Sequence, residues 1–220
     1  MHAEKEIQTV KSSTEKKRGR FVYRIVKRSI DILLSFVSLF LLSPVLVLVS
    51  ICVKLDSPGP VFYKQKRIGV NGEPFHIYKF RSMCTNADAL LLTLDAEKKA
   101  EYQANYKLKS DFRITRVGRF IRKTNLDELP QLINILIGQM SFIGPRPVVP
   151  DELEKYGDYT DIFLSVRPGL TGYWQVHRDM DTSYDERVQM EVYYVQNRSL
   201  KMDIGIFFRT FTIAFSQPDK

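Results

Sequence analysis

Two adjacent acids, Asp127 and Glu128, sit in the segment Arg122-Lys-Thr-Asn-Leu-Asp-Glu-Leu-Pro-Gln-Leu132. Arg113, Arg116, Arg119, Arg122 and Lys123 precede them, and Arg146 follows in Gly144-Pro-Arg-Pro147. Guanidinium forks bind phosphate through paired N–H donors, and helix N-termini attract anions. A carboxylate pair in such a field could hold Mg²⁺ while one carboxylate attacks a phosphorus atom. The same residues admit a plainer account. Asn125 reads as the cap of a following helix, with both acids in its first turn and Pro130 tolerated there. Asn125-x-x-Glu128 has capping-box spacing, and acids at that place simply suit the helix dipole. The arginines equally suit a solvated basic face or a lipid headgroup contact. Spacing alone leaves these alternatives open.

The elements that must position such a pair begin with a membrane-like run. The chain has 220 residues, enough for one domain with a real core, and a formal charge of +8 that favours polyanionic partners. Its mean hydropathy of -0.20 hides an uncharged apolar run from Ile32 to Val53, which at roughly 20 residues has the length of a membrane helix. Ser43-Pro44 lies at its centre, where proline bends a helix and the Ser43 hydroxyl can satisfy freed backbone. Basic residues flank both ends: Lys16 to Arg28 before, and Lys54, Lys64, Lys66 and Arg67 after. A spanning helix carries that excess on its cytoplasmic side only, so the pattern predicts a re-entrant hairpin, with a kinked spanning anchor as the alternative. Cys52 and Cys84 show neither metal-ligand spacing nor a disulfide framework.

Beyond the run, Val61–Tyr63 and Phe75–Tyr78 read as strands of a hairpin around the Gly69–Gly72 turn. Residues Ala87–Leu108 and Tyr184–Asn197 read as helices. Ile133–Ile137 is an apolar segment ended by Gly138. Ile204, Phe207, Phe208, Phe211 and Phe215 form an aromatic stripe suited to a membrane interface or to a core. The expected fold is α-rich α+β, one catalytic domain (56–220) on a Ser-Pro kinked re-entrant helix (25–55) with amphipathic interfacial helices. A basic, poorly ordered arm (1–24) precedes it.

Seven runs, in order, resemble the bacterial sugar transferases of the small monotopic polyprenyl-phosphate phosphoglycosyl transferase type. They are Lys27-Arg28-x-x-Asp31, Ser43-Pro44, Ser57-Pro-Gly-Pro-Val-Phe-Tyr-Lys64, Tyr78-Lys-Phe-Arg-Ser-Met83, Asn125-Leu-Asp-Glu-Leu-Pro-Gln-Leu132, Met140-Ser-Phe-Ile-Gly-Pro-Arg-Pro147 and Arg167-Pro-Gly-Leu-Thr-Gly-Tyr-Trp-Gln-Val176. The resemblance covers about residues 25–215. It implies a ping-pong transfer of a hexose-1-phosphate from a nucleotide-diphosphate sugar, a UDP-hexose in expectation, to polyprenyl phosphate, initiating exopolysaccharide, capsule or O-antigen type glycans. Asp127 would be the nucleophile and would carry the family's Mg²⁺, with Glu128 assisting. Arg146 is the leading phosphate clamp, with Lys79, Arg81 and Arg122 as further candidates.

One departure stands out. Where the family commonly reads Asn-Gly-Arg after Gln175-Val176, this chain has His177-Arg178-Asp179, so Arg178 is the candidate replacement for the substrate-binding arginine. The resemblance also implies the cytoplasmic face of the inner membrane, anionic lipids as partners, and a homodimer as candidate assembly. Nucleic acid is not an expected partner: no recognised nucleic-acid motif is present, and the basic residues track the membrane flanks and the acid pair. The non-enzymatic alternative is a basic membrane-surface scaffold of polysaccharide assembly. Galactose, glucose and N-acetylated hexosamines are all compatible with the sequence.

Overall fold

The computed structural model describes residues 2–95, 98–99, 101–102, 108, 111–179 and 181–216, with side chains from Gly19 onward except those of residues 88 and 214–216. Helices α1 (His2–Leu41) and α2 (Ser43–Asp56) form one helical run broken at Leu42. The helical backbone starts at His2, within the lysine-rich stretch read from sequence as an arm. Pro44 stands in the first turn of α2, where it has no N–H to extend the ladder of α1. Ser43 Oγ donates to the Phe40 carbonyl at 2.8 Å, the local partner its hydroxyl was expected to find. No single described helix is long and apolar enough to cross a membrane, but Gly19–Leu41 and Ser43–Asp56 pass that test as a pair bent by 62°. Leu33, Phe36 and Phe40 before the break, and Val47, Leu48, Ile51 and Leu55 after it, are exposed.

Strands β1 (Phe62–Ile68) and β2 (Pro74–Phe80) make a two-stranded sheet around the expected Gly69–Gly72 turn, in which Asn71 (φ 58°) and Gly72 (φ 82°) adopt left-handed backbone. The helix expected over 87–108 is interrupted: α3 covers Ala87–Leu92, residues 93–95 are not helical, and 98–99 and 101–102 are helical again, while 96–97, 100 and 103–107 lie outside the described residues. There follow α4 (Arg116–Lys123), α5 (Gln131–Leu136), β3 (Ser141–Ile143), α6 (Pro150–Leu153), α7 (Thr160–Leu164), β4 (Gly169–Thr171), α8 (Tyr173–His177), α9 (Tyr184–Asn197) and α10 (Leu200–Ser216). The helix-rich composition with small sheets agrees with the α+β expectation.

The chain divides into two compact units. In one, residues 38–66 and 76–133, Val49 and Val53 of α2 pack with Phe80 of β2 and Ile121 of α4. Thr115 caps α4 by accepting from Gly118 N at 2.9 Å, and Asp56 accepts from Val117 N at 3.2 Å, so two of the helix's orphan donors are met.

The other unit holds residues 1–37, 67–75 and 134–217. Here β3 and β4 pair in parallel, Ser141 opposite Gly169 and Ile143 opposite Thr171, which sets the Gly144-Pro-Arg-Pro147 loop beside the Arg167-Pro-Gly segment. The approach demands glycine: a Cβ on Gly144 would meet Gly169 N at 2.8 Å. Helix α9 opens on a Ser183–Glu186 capping box. It gives Val188 and Val192 to one apolar cluster, with Val148, Tyr156 and Phe163. It gives Tyr194 and Val195 to another, with Ile143, Val176 and Ile206. The aromatic stripe of α10 is divided, because Phe207 packs against that cluster. Ile206 is buried, whereas Ile204, Phe208 and Phe211 are exposed.

Candidate active site

Asp127 and Glu128 stand in a 3-10 turn, Leu126–Glu128, directly after α4. Asn125 does not cap it. Its backbone is left-handed (φ 55°) and its side chain makes no capping hydrogen bond. Asn is among the few residues that tolerate that conformation, and Leu126 is drawn into the core beside Ile121. Together these turn the chain sharply, so the capping box read from sequence does not form. The turn presents the two carboxylates differently. Asp127 is only 9% exposed, while the Glu128 side chain is 38% exposed and its Oε1 lies 2.7 Å from Lys79 Nζ.

Burial, and then the Glu128 charge, hold the Asp127 carboxyl above the ordinary carboxylate range, against the pull of Lys79 and Arg122. Lys79 projects from β2. Arg122, on the last turn of α4, is fixed by donating from Nε to Ser82 Oγ at 2.8 Å. Other cations nearby in sequence serve structure. Arg81 is buried and donates to the carbonyls of Pro58 (2.5 Å) and Ser57 (2.6 Å), holding the Ser57–Pro60 turn rather than pointing at the acids. Arg113 is buried against Asp111, with Nη2–Oδ2 at 2.6 Å.

Arg146 and Arg178 belong to the other unit, and they share a setting there. Arg178 lies over the Trp174 ring at 5.1 Å, and Arg187 lies over it at 4.6 Å. Burial and the charges of Arg146 and Arg187 lower the Arg178 pKa, the mark of cations gathered in one place. Beneath them Glu191, 2% exposed, accepts from Arg146 N at 3.0 Å and from Tyr156 Oη, and pairs with Arg187 at 3.7 Å. The structure thus brings Asp127, Glu128, Lys79 and Arg122 together within one unit, and Arg146 and Arg178 within the other. Sequence reasoning passed over Arg187, Glu191 and Tyr156. One signal was available: Glu191 stands in the apolar register of Val188, Val192 and Val195, where an acid is out of place.

The donor set fits Mg²⁺ of a particular kind. Among the described residues no group of three or more His, Cys, Asp or Glu could hold a metal, so an all-protein cage is not offered there. Mg²⁺ commonly takes one or two carboxylates and completes its shell with water and substrate phosphates. The Asp127–Glu128 pair, whose mutual repulsion a divalent ion would relieve, suits that mode.

Residues 22–217 match the family model described as bacterial sugar transferase, and the chain belongs to that family. It is 48% identical over 190 residues to the undecaprenyl-phosphate galactose phosphotransferase of Salmonella typhimurium, covering 85% of this chain and 40% of that protein. It is 47% identical over 189 residues to the exopolysaccharide production protein ExoY of Sinorhizobium fredii, covering 84% of each. It is 43% identical over 197 residues to the UDP-galactose-lipid carrier transferase of Erwinia amylovora, covering 88% of this chain and 41% of that protein. The chain therefore spans about two fifths of the Salmonella and Erwinia proteins and most of the Sinorhizobium one.

Proposed function

We propose that this chain is a phosphoglycosyl transferase. It moves a hexose-1-phosphate, galactose-1-phosphate first among the candidates, from a UDP-sugar to a polyprenyl phosphate such as undecaprenyl phosphate. The observation that carries the reading is the Asp127–Glu128 turn, a nearly buried carboxylate among Lys79, Arg122 and a second acid, in a chain whose relatives are named for this transfer and for its sugar donor.

In the first step an Asp127 carboxylate oxygen attacks the sugar-proximal phosphorus. The bond from that phosphorus to the bridging oxygen breaks, and the nucleoside monophosphate departs with the electron pair. In the second step an oxygen of polyprenyl phosphate attacks the same phosphorus, and the aspartyl–phosphorus bond breaks to return the carboxylate. Bound at Asp127, Mg²⁺ would neutralise charge on the diphosphate. Lys79 holds Glu128 in place beside the nucleophile, and Arg122 contributes a fixed positive charge. Arg146 and Arg178 are the further phosphate ligands of the reading. The bent α1–α2 pair is read as a re-entrant element on the cytoplasmic face of the inner membrane, where a lipid acceptor is at hand.

Release of nucleoside monophosphate, measured across UDP-galactose, UDP-glucose and the N-acetylated donors, tests the assignment. One donor should stand out, and Asp127→Asn should cut its turnover by at least roughly 10³-fold. Undiminished release in that variant would remove Asp127 from the role.

A further inference from the structure

The unit that lacks the acid pair contains a cavity of about 410 Å³ lined by Arg24, Lys27 and Arg28 of α1, by Asp31, and by Arg167 and Arg198. That volume lies within the ordinary range of ligand sites, roughly 300–1,000 Å³. We propose that this cavity binds the phosphate of an anionic lipid headgroup, as a site separate from the Asp127–Glu128 pair.

The lining charges make the case. Lys27 is neutralised by Asp203 at 2.7 Å. Asp31 accepts from Ser141 Oγ and Phe142 N, each at 3.1 Å from its Oδ1, and contributes one negative charge to the lining, which acts on Arg28. Four guanidiniums around the cavity, those of Arg24, Arg28, Arg167 and Arg198, form no ion pair within 4.0 Å among the described residues, and they stand against the single charge of Asp31. Three of them are held in place by neutral carbonyls. Arg28 donates to Ile135 O at 2.6 Å and Leu136 O at 2.8 Å, Arg167 Nε donates to Gly138 O at 2.7 Å, and Arg198 donates to Val195 O. Carbonyls orient a guanidinium without cancelling its charge, and its unused N–H groups keep the forked geometry that matches phosphate oxygens. Burial, and then the charges of Arg20 and Arg24, lower the Arg198 pKa. A phosphate would offset those charges.

The lipid source follows from α1 itself. The helix that supplies Arg24, Lys27 and Arg28 also exposes Phe21, Val22, Ile25, Ile32, Leu33 and Phe36. A ligand with an anionic head and apolar tails meets both features, whereas a soluble phosphate meets only the first. The inference rests on the membrane reading of α1–α2.

The test uses the full chain. Native mass spectrometry in detergent counts retained phosphatidylglycerol or phosphatidylcholine, and vesicle flotation measures partition onto either lipid. Arg167→Ala/Arg198→Ala should lose retained phosphatidylglycerol at least tenfold relative to Lys201→Ala/Arg209→Ala, which removes the same charge from exposed positions outside the cavity. Arg167→Lys/Arg198→Lys should recover part of the loss, separating charge at the site from misfolding. Equal phosphatidylglycerol retention by the cavity and control variants would overturn the site. So would cavity-dependent binding of inorganic phosphate alone as tight as that of the lipid, since the occupant would then be a soluble anion. Failure of the unaltered chain to float with any vesicle would instead overturn the membrane reading and the inference with it. Loss of nucleotide release with lipid retention intact would overturn only the transferase reading.

Discussion

At Asp127, burial and the neighbouring Glu128 carboxylate both act against ionisation, and the group is held above the ordinary carboxylate range. A carboxylate kept poorly solvated is a stronger nucleophile than one in water, and the cost appears as stability. Because the folded-state pKa exceeds the unfolded one, the ionised group destabilises the fold at neutral pH. The penalty fades as pH falls through the folded pKa and is gone below the unfolded value. Asp127→Asn should therefore raise the melting temperature at pH 7 to 8, with the gain shrinking towards zero as the pH approaches 4. A gain that persisted unchanged into acid would show that the carboxyl's charge is not its source. Glu191 is the opposite kind of residue. Also raised by burial, it is held by Arg187, Tyr156 Oη and Arg146 N. Removing one partner of a buried ion pair leaves the other uncompensated, so Glu191→Ala should cost about 3–5 kcal/mol in denaturant titration. A loss below about 1 kcal/mol would mean that the network is relaxed by water.

Among the elements, the α1–α2 break was legible because one residue type enforces it: Pro44 cannot donate to the ladder wherever the chain goes. The hairpin and α9 were legible for a similar reason, since Gly69–Gly72 and the Ser183 cap are local signals. Where tertiary contacts decide, the sequence was silent. Asn125 has the composition of a helix cap but adopts left-handed backbone under the pull of Leu126 on the core. Arg81 sits in a motif rich in phosphate-binding types, yet three carbonyls of the α2 end and the Ser57 turn claim its guanidinium. The bend carries a topological prediction. In a Cys52→Ser/Cys84→Ser background, a Gly19→Cys reporter should react with a membrane-impermeant thiol reagent only from the cytoplasmic side. Pro44→Leu should straighten the run and expose part of the reporter population to the periplasm. Periplasmic labelling without the Pro44 change would make α1–α2 a spanning anchor.

On the scale of the whole molecule, the chain sorts its chemistry between two units, with the acid turn in one and the Arg146, Arg178 and Glu191 network in the other. Family membership rests on residues 22–217, and the proposed reaction rests on a covalent bond to Asp127. That bond can be sought directly. The purified chain is mixed with its UDP-sugar and Mg²⁺ in the absence of polyprenyl phosphate, quenched, and its intact mass and peptides are measured. Covalent transfer through Asp127 predicts stoichiometric nucleoside monophosphate release and a hexose phosphate mass added to the peptide bearing Asp127, discharged when polyprenyl phosphate is supplied and missing from Asp127→Asn. Nucleotide release that begins only once the lipid acceptor is present, with no mass ever added to the protein, would contradict it.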